Sequence, residues 1–172
     1  MKTIKTNIYE FKELSEDAKE NALNNLRDLN VYYDWWNTTY EDAKNIGLKI
    51  TYFGLDRNRH AEGEFLLNAY EVAHKIKENH GKHCETYKTA ASFIEDWDKL
   101  VSEYQQQIDN GDTQDFDEKA NEMEEDFLKS LLEDYSMMLQ KESEYLQSDT
   151  SIIETIEANG YTFEEDGTMR NE

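Results

Sequence analysis

Apolar positions along the chain change their period several times, and each change predicts an element. Residues 3–9, Thr-Ile-Lys-Thr-Asn-Ile-Tyr, partly alternate and are β-prone, which predicts a short strand. Ser15 then stands where an N-cap is expected, ahead of Ala18, Ala22, Leu26 and Leu29 at spacings of four, four and three. That stripe predicts a helix over about 16–29. Trp36, Tyr40 and Ala43 predict a second helix from Asp34 to Asn45, with Gly47 as its stop. Leu48 to Phe53 has the strongest strand pattern in the chain, and Glu62 to Leu67 reads as a strand pairing back on it. Ala69, Val72, Ala73 and Ile76 resume a helical period that stops near Gly81.

From Thr86 the pattern becomes long and regular. Tyr87, Ala90, Ile94, Trp97, Val101, Tyr104 and Ile108 alternate steps of three and four, predicting a helix of about 23 residues. After a turn at Asp109 to Asp115, a second stripe runs through Phe116, Ala120, Met123, Phe127, Leu131, Tyr135 and Met138 towards Leu146. Two stripes joined by a short Gly-containing turn read as an antiparallel helical hairpin. Asp149 or Thr150 is the expected cap of a short helix through Ile152, Ile153 and Ile156, ended by Asn159-Gly160. Tyr161 to Phe163 reads as an edge strand, and residues from Gly167 onward are expected to fray. The fold class is therefore α+β: a short antiparallel sheet with covering helices, extended by a long antiparallel acidic helical hairpin. The expected organisation is a small α+β unit over 1–85, the hairpin over 86–148, and a C-terminal helix and strand over 149–172, packed as one domain.

Charge changes this picture. The 172 residues hold 18 Lys plus Arg against 39 Asp plus Glu, a net of −21. Residues 1–90 carry 13 basic and 15 acidic side chains, whereas residues 91–172 carry 5 and 24. A deficit of that size argues against direct binding to a nucleic acid backbone or an anionic membrane, since both share its sign. No apolar run approaches the roughly 18 residues that span a bilayer. The opening MKTIKTNIYEFKE has no long apolar stretch and is not read as a signal peptide. One cysteine, Cys84, precludes an internal disulfide and fits a reducing, cytoplasmic setting.

On a helical wheel, Glu118, Glu122, Glu125 and Glu133 fall opposite the apolar stripe of the second long helix, and Asp115 and Asp126 extend the acidic set. Carboxylates four residues apart are about 6 Å apart along the axis. That is of the same order as charge spacing along a nucleic acid strand. Such a row can compete for a basic groove by copying the charge of the nucleic acid. Lys129 interrupts it. A solvated outer face is the alternative, since any exposed helix carries one. Yet like charges at i, i+4 cost roughly 0.2–0.5 kcal/mol per pair, a cost that mixed signs would avoid. From Asp109 to Asp134 there are eleven acids against Lys119 and Lys129.

Other chemistry is weakly signalled. His80, His83 and Cys84 offer ligands to zinc, but at a spacing that matches no zinc motif, and a polar turn accounts for the same residues. The Asp109 to Glu118 segment lacks the order of a calcium loop. No Gly-rich phosphate loop, G-x-S-x-G or H-E-x-x-H occurs, so no catalytic residues, metal or cofactor are expected. Tyr32-Tyr33-Asp34-Trp35-Trp36 is dense in rings. Adjacent Trp side chains point about 100° apart on a helix, so Trp35 and Trp36 either cover the sheet or supply an aromatic anchor for a protein partner. Arg57-Asn58-Arg59-His60 is a second contact or a solvated hairpin turn.

The stretch Ile8-Tyr9-Glu10-Phe11-Lys12-Glu13-Leu14-Ser15-Glu16-Asp17-Ala18-Lys19 is similar to the opening of a family of small acidic phage and prophage proteins, often labelled antitoxins of toxin–antitoxin stability systems. The Tyr33 to Trp36 cluster followed by Leu48 to Phe53, and the closing Ile152 to Gly167, also resemble that family. Its Gly-rich aromatic hairpin is replaced here by Asp56 to Gly63, and no site residues carry over. The resemblance implies a mobile-element protein of the bacterial cytoplasm, a class that includes inhibitors of host defences such as anti-CRISPR proteins. Taken with the charge, it leads to the expectation of a non-catalytic inhibitor. Its partner would be a defence nuclease or CRISPR effector with a basic groove, met through Asp115, Glu118, Glu122, Glu125, Asp126 and Glu133. An antitoxin acting through the aromatic face is the alternative. Heptad-like stripes close within one chain or between two, so a dimer stays open.

Overall fold

The computed structural model describes residues 7–170. Along the chain run β1 (Tyr9–Glu10), α1 (Glu16–Asn25), α2 (Asn37–Asn45), β2 (Leu48–Gly54), β3 (His60–Phe65), α3 (Ala69–Asn79), α4 (Glu85–Asp109), α5 (Gln114–Leu146), α6 (Asp149–Asn159) and β4 (Thr162–Phe163). The class is α+β with a long helical hairpin. The strands form two separate antiparallel pairs, β1 with β4 and β2 with β3. The contacts group into two compact units, Met1–Trp35 with Lys141–Glu172, and Trp36–Gln140.

In the first unit the strand expected over 3–9 falls mainly on residues 1–6, outside the described residues. Its described end pairs Tyr9 with Phe163. Ser15 caps α1, its hydroxyl accepting the Ala18 N–H at 3.2 Å. The helix stops at Asn25 rather than 29, and Leu29–Val31 winds as a short 3-10 turn. Asn30 in that turn is buried, donating to the Leu146 carbonyl and Ser151 hydroxyl and accepting from Thr155. α6 is capped by Ser148, one residue before the expected Asp149, through its bond from the Ser151 N–H. Gly160 ends it at φ +65°. The core joins Phe11, Leu14, Ala18, Ala22, Ile152, Ile156 and Phe163.

The expected fraying of the C-terminus is not found as far as Arg170. Met169 bridges to Phe163, the Arg170 N–H donates to the Thr162 carbonyl, and the Asn21 amide donates to the Asp166 carbonyl. Gly167, at φ +87°, is buried with its α-carbon so near α1 that a β-carbon there would lie 2.0 Å from the Ala18 carbonyl oxygen. Fixing that turn needs glycine, and the hydrogen bonds then hold the segment.

In the second unit, α2 begins at Asn37 rather than Asp34 and ends before Gly47, whose φ of +91° lets the chain turn into β2. Leu48 faces Phe65 and Gly54 faces His60 in the β2–β3 hairpin, with a register shift between Ile50 and Tyr52. The core gathers Ala43, Ile46, Leu48, Ile50, Val72, Ile76, Ala90, Phe93, Phe127, Leu131 and Tyr135. Large rings join α4 to α5: Phe93 stacks on Phe127 at 4.1 Å between centroids, and Phe116 meets Trp97 and Tyr104, both at 6.2 Å. This order of contacts makes the hairpin antiparallel.

Candidate partner-binding face

The acidic face is built by the period of α5. Phe116, Ala120, Met123, Phe127 and Leu131 turn towards the core or its edge, which leaves the opposite side to solvent. Asp115, Glu118, Glu122, Glu125, Asp126 and Glu133 are all exposed. The first five have no cation within 4 Å among the described residues. Glu133 differs: Arg59, from the β2–β3 connection, pairs with it. The same guanidinium donates to Ser136 at 3.1 Å and to Gln140 at 2.7 Å. Arg59 is thus spent on α5, and Glu133 contributes little uncompensated charge.

Two clefts flank the row. One, of about 740 Å³, opens between α4 and α5 over Phe93, Leu100, Met123 and Phe127, with Glu122 and Asp126 on its edge. Its two lysines are engaged. Lys99 pairs with Glu95 at 2.8 Å and Asp96 at 3.2 Å, and Lys119 lies 4.9 Å over the Tyr104 ring. The other cleft runs along Glu125, Asp126, Glu133 and Asp134. Lys129, which interrupts the acids in sequence, also lines it.

The aromatic candidates sit differently. Trp35 is only 9% exposed. Trp36 is half-buried, edge-on to Phe53 at 5.6 Å. The rings presented to solvent here are Tyr32, 83% exposed, and Tyr33, 59% exposed.

The His80, His83 and Cys84 group is not a gathered one. His83 and Cys84 are exposed, whereas the His80 side chain is 8% exposed, its Nδ1 2.7 Å from the Thr86 hydroxyl and its Nε2 3.5 Å from Asp42. Among the described residues no three His, Cys, Asp or Glu side chains are arranged to hold a metal ion. The His80 imidazole beside it holds the Asp42 carboxyl below the usual carboxylate range; burial acts the other way, and the Tyr135 hydroxyl adds to the lowering. Thr86 is buried, whereas the Asp42 side chain is partly exposed. Sequence reasoning missed Asp134 and Glu124, acids on or beside the inward side of α5. Burial raises both above the ordinary carboxylate range.

No helix among the described residues is long and apolar enough to cross a membrane. No protein-family model, curated protein or solved structure matches the chain.

Proposed function

We propose that this chain is a non-catalytic inhibitor that occupies the basic groove of a nucleic-acid-handling protein. Its resemblance to phage and prophage proteins makes a bacterial defence nuclease or CRISPR effector the partner class. The observation that carries this reading is the set of five exposed carboxylates, Asp115, Glu118, Glu122, Glu125 and Asp126, on one side of α5, none of them in an ion pair within 4 Å among the described residues. A field of one sign speeds encounter with a basic surface and is felt over about 8 Å at physiological salt. The face meets the partner through charge, and the partner's own nucleic acid is displaced.

The test reverses Glu118, Glu122 and Glu125 to Lys together. Wild-type and reversed chains are used to capture proteins from a bacterial host lysate at low and high salt, and inhibition of the captured nuclease is then measured. Binding should fall by orders of magnitude on reversal and with salt, while the circular dichroism spectrum stays the same. Inhibition that survives the reversal at moderate salt overturns the proposal. The exposure of Tyr32 and Tyr33 favours a second reading, an antitoxin that binds its toxin through aromatic contacts. That reading requires weak salt dependence and loss of binding in Tyr32→Ala.

A further inference from the structure

One buried side-chain polar atom has no hydrogen-bond partner among the described residues, and it is Nε2 of His80. His80 ends α3, its own N–H donating to the Ile76 carbonyl at 2.8 Å. Nδ1 of the ring lies 2.7 Å from the hydroxyl of Thr86, a buried residue in the first turn of α4. Nε2 lies 3.5 Å from Oδ2 of Asp42 on α2. That oxygen already accepts the Tyr135 hydroxyl of α5 at 2.8 Å. One imidazole thus stands between α4 and α2, and Asp42 carries the link on to α5.

The proton state of the ring decides how well this place is satisfied. A neutral imidazole has one N–H and one lone pair. With the proton on Nδ1, the Nε2 lone pair faces the carboxylate, and two acceptors meet. With the proton on Nε2, a neutral donor faces Asp42 at a distance long for a hydrogen bond. An imidazolium donates from both nitrogens. Nδ1–H then bonds the Thr86 oxygen, and Nε2–H meets the carboxylate with opposite charge. Burial of the ring opposes that charge. The Asp42 side chain is 42% exposed, so the pair keeps part of its hydration and the penalty is limited.

Asp42 faces the ring from α2, with Tyr135 of α5 behind it. From α4 comes Thr86, which does not titrate, and its neighbour Glu85 is exposed. Asp134, next to Tyr135, is bonded to Thr89. On α3 itself, Lys77 and Glu78 are exposed. The Asp42 carboxyl is held low, chiefly by His80, and stays ionised where a histidine changes charge.

We infer that His80 is a proton-operated clasp: protonated, it closes on the Asp42 carboxylate and locks the α3–α4 corner to α2 and α5, and deprotonated, it lets that corner loosen. The added stability is present below the pH at which a histidine of the unfolded chain takes its proton. It is lost as pH rises through the range in which the folded imidazole releases its own.

The test is a double-mutant cycle on the full chain, with His80→Gln, Asp42→Asn and the pair together, unfolded in urea at about pH 6 and about pH 8.5. Gln keeps a neutral donor and has no titrating ring. The coupling between the two sites should equal about tenfold in the unfolding equilibrium constant at the lower pH and about threefold or less at the higher. His83→Gln removes an exposed imidazole nearby and should leave the pH dependence of stability as in wild type. In the wild-type chain, NMR should show the Asp42 carboxyl carbon shifting in step with the His80 ring between about pH 5 and 8. Exchange at the Cys84 and Lys88 amides of the corner, corrected for the intrinsic rate at each pH, should be slower at the lower pH. A coupling that is equal at both pH values, or larger at the higher one, overturns the inference. So does a His83→Gln chain that loses the pH dependence, or corner exchange indifferent to pH. An Asp42 carboxyl that ignores the His80 ring overturns it as well, and that measurement needs no variant to fold.

Discussion

The hydroxyl of Tyr135 on α5 donates a hydrogen bond to the carboxylate of Asp42 on α2 at 2.8 Å. Tyr135 is fully buried, and both burial and Asp42 push its phenol well above the ordinary range, so it is a donor at neutral pH. Tyr135→Phe should destabilise the protein by about 1–2 kcal/mol, seen as a lower urea midpoint with unchanged slope. Asp42, whose carboxyl is lowered in the folded state, stabilises the fold above the unfolded carboxylate pKa. That contribution fades as pH falls through the lower, folded value. Asp42→Asn should therefore be least stable relative to wild type near neutral pH, and the difference should narrow in acid.

Glu122 lies four residues from both Glu118 and Asp126 on the exposed side of α5. Each like-charge pair costs roughly 0.2–0.5 kcal/mol. Glu122→Gln should raise stability by about 0.5 kcal/mol in thermal or urea unfolding, while weakening binding to a basic partner. A variant that is more stable and binds less well identifies the acids as serving recognition at the expense of the fold.

Arg59 ties the β2–β3 connection to α5 through Glu133, Ser136 and Gln140. Arg59→Ala should cost about 1–3 kcal/mol, because charge-assisted bonds are lost and Ser136 is left buried without that donor. The same change frees the charge of Glu133. Affinity for a basic partner, measured under conditions where the variant is folded, should rise.

Gly167 touches α1 at Ala18 in a conformation that disfavours any other residue. Gly167→Ala should cost about 2 kcal/mol or more. Hydrogen exchange should show lost protection at the Arg170 amide, whose bond to Thr162 depends on that turn. The amides of Phe93 and Phe127 in the other unit report whether the loss is local.

Much of the secondary structure was legible because its causes are local. Ser15 precedes an apolar stripe, and the hydroxyl caps the helix there. The stripes of α4 and α5 repeat often enough that no other period fits them. Where the signal came from a few residues it slipped: Ser148 caps α6 because its hydroxyl reaches the Ser151 N–H, although Asp149 and Thr150 are also good capping types. The stripe of α5 predicts burial at Met138, which is exposed, whereas Leu139 is buried. Beyond Leu131 the covered side of the helix widens to take in Tyr135, Ser136 and Leu139, and Arg59 bonds to Ser136 and Gln140 there.

Composition and period alone determined that this chain would be helical, strongly acidic in its second half, and bear a row of carboxylates opposite an apolar stripe. Each depends on residues within one or two helical turns of each other. Only the tertiary structure decided which acids remain uncompensated. Arg59 and Glu133 are 74 residues apart in sequence, and Thr89 and Asp134 are 45 apart. Charges and hydroxyls at such separations meet only when packing brings their elements together, and helical period carries no record of that meeting.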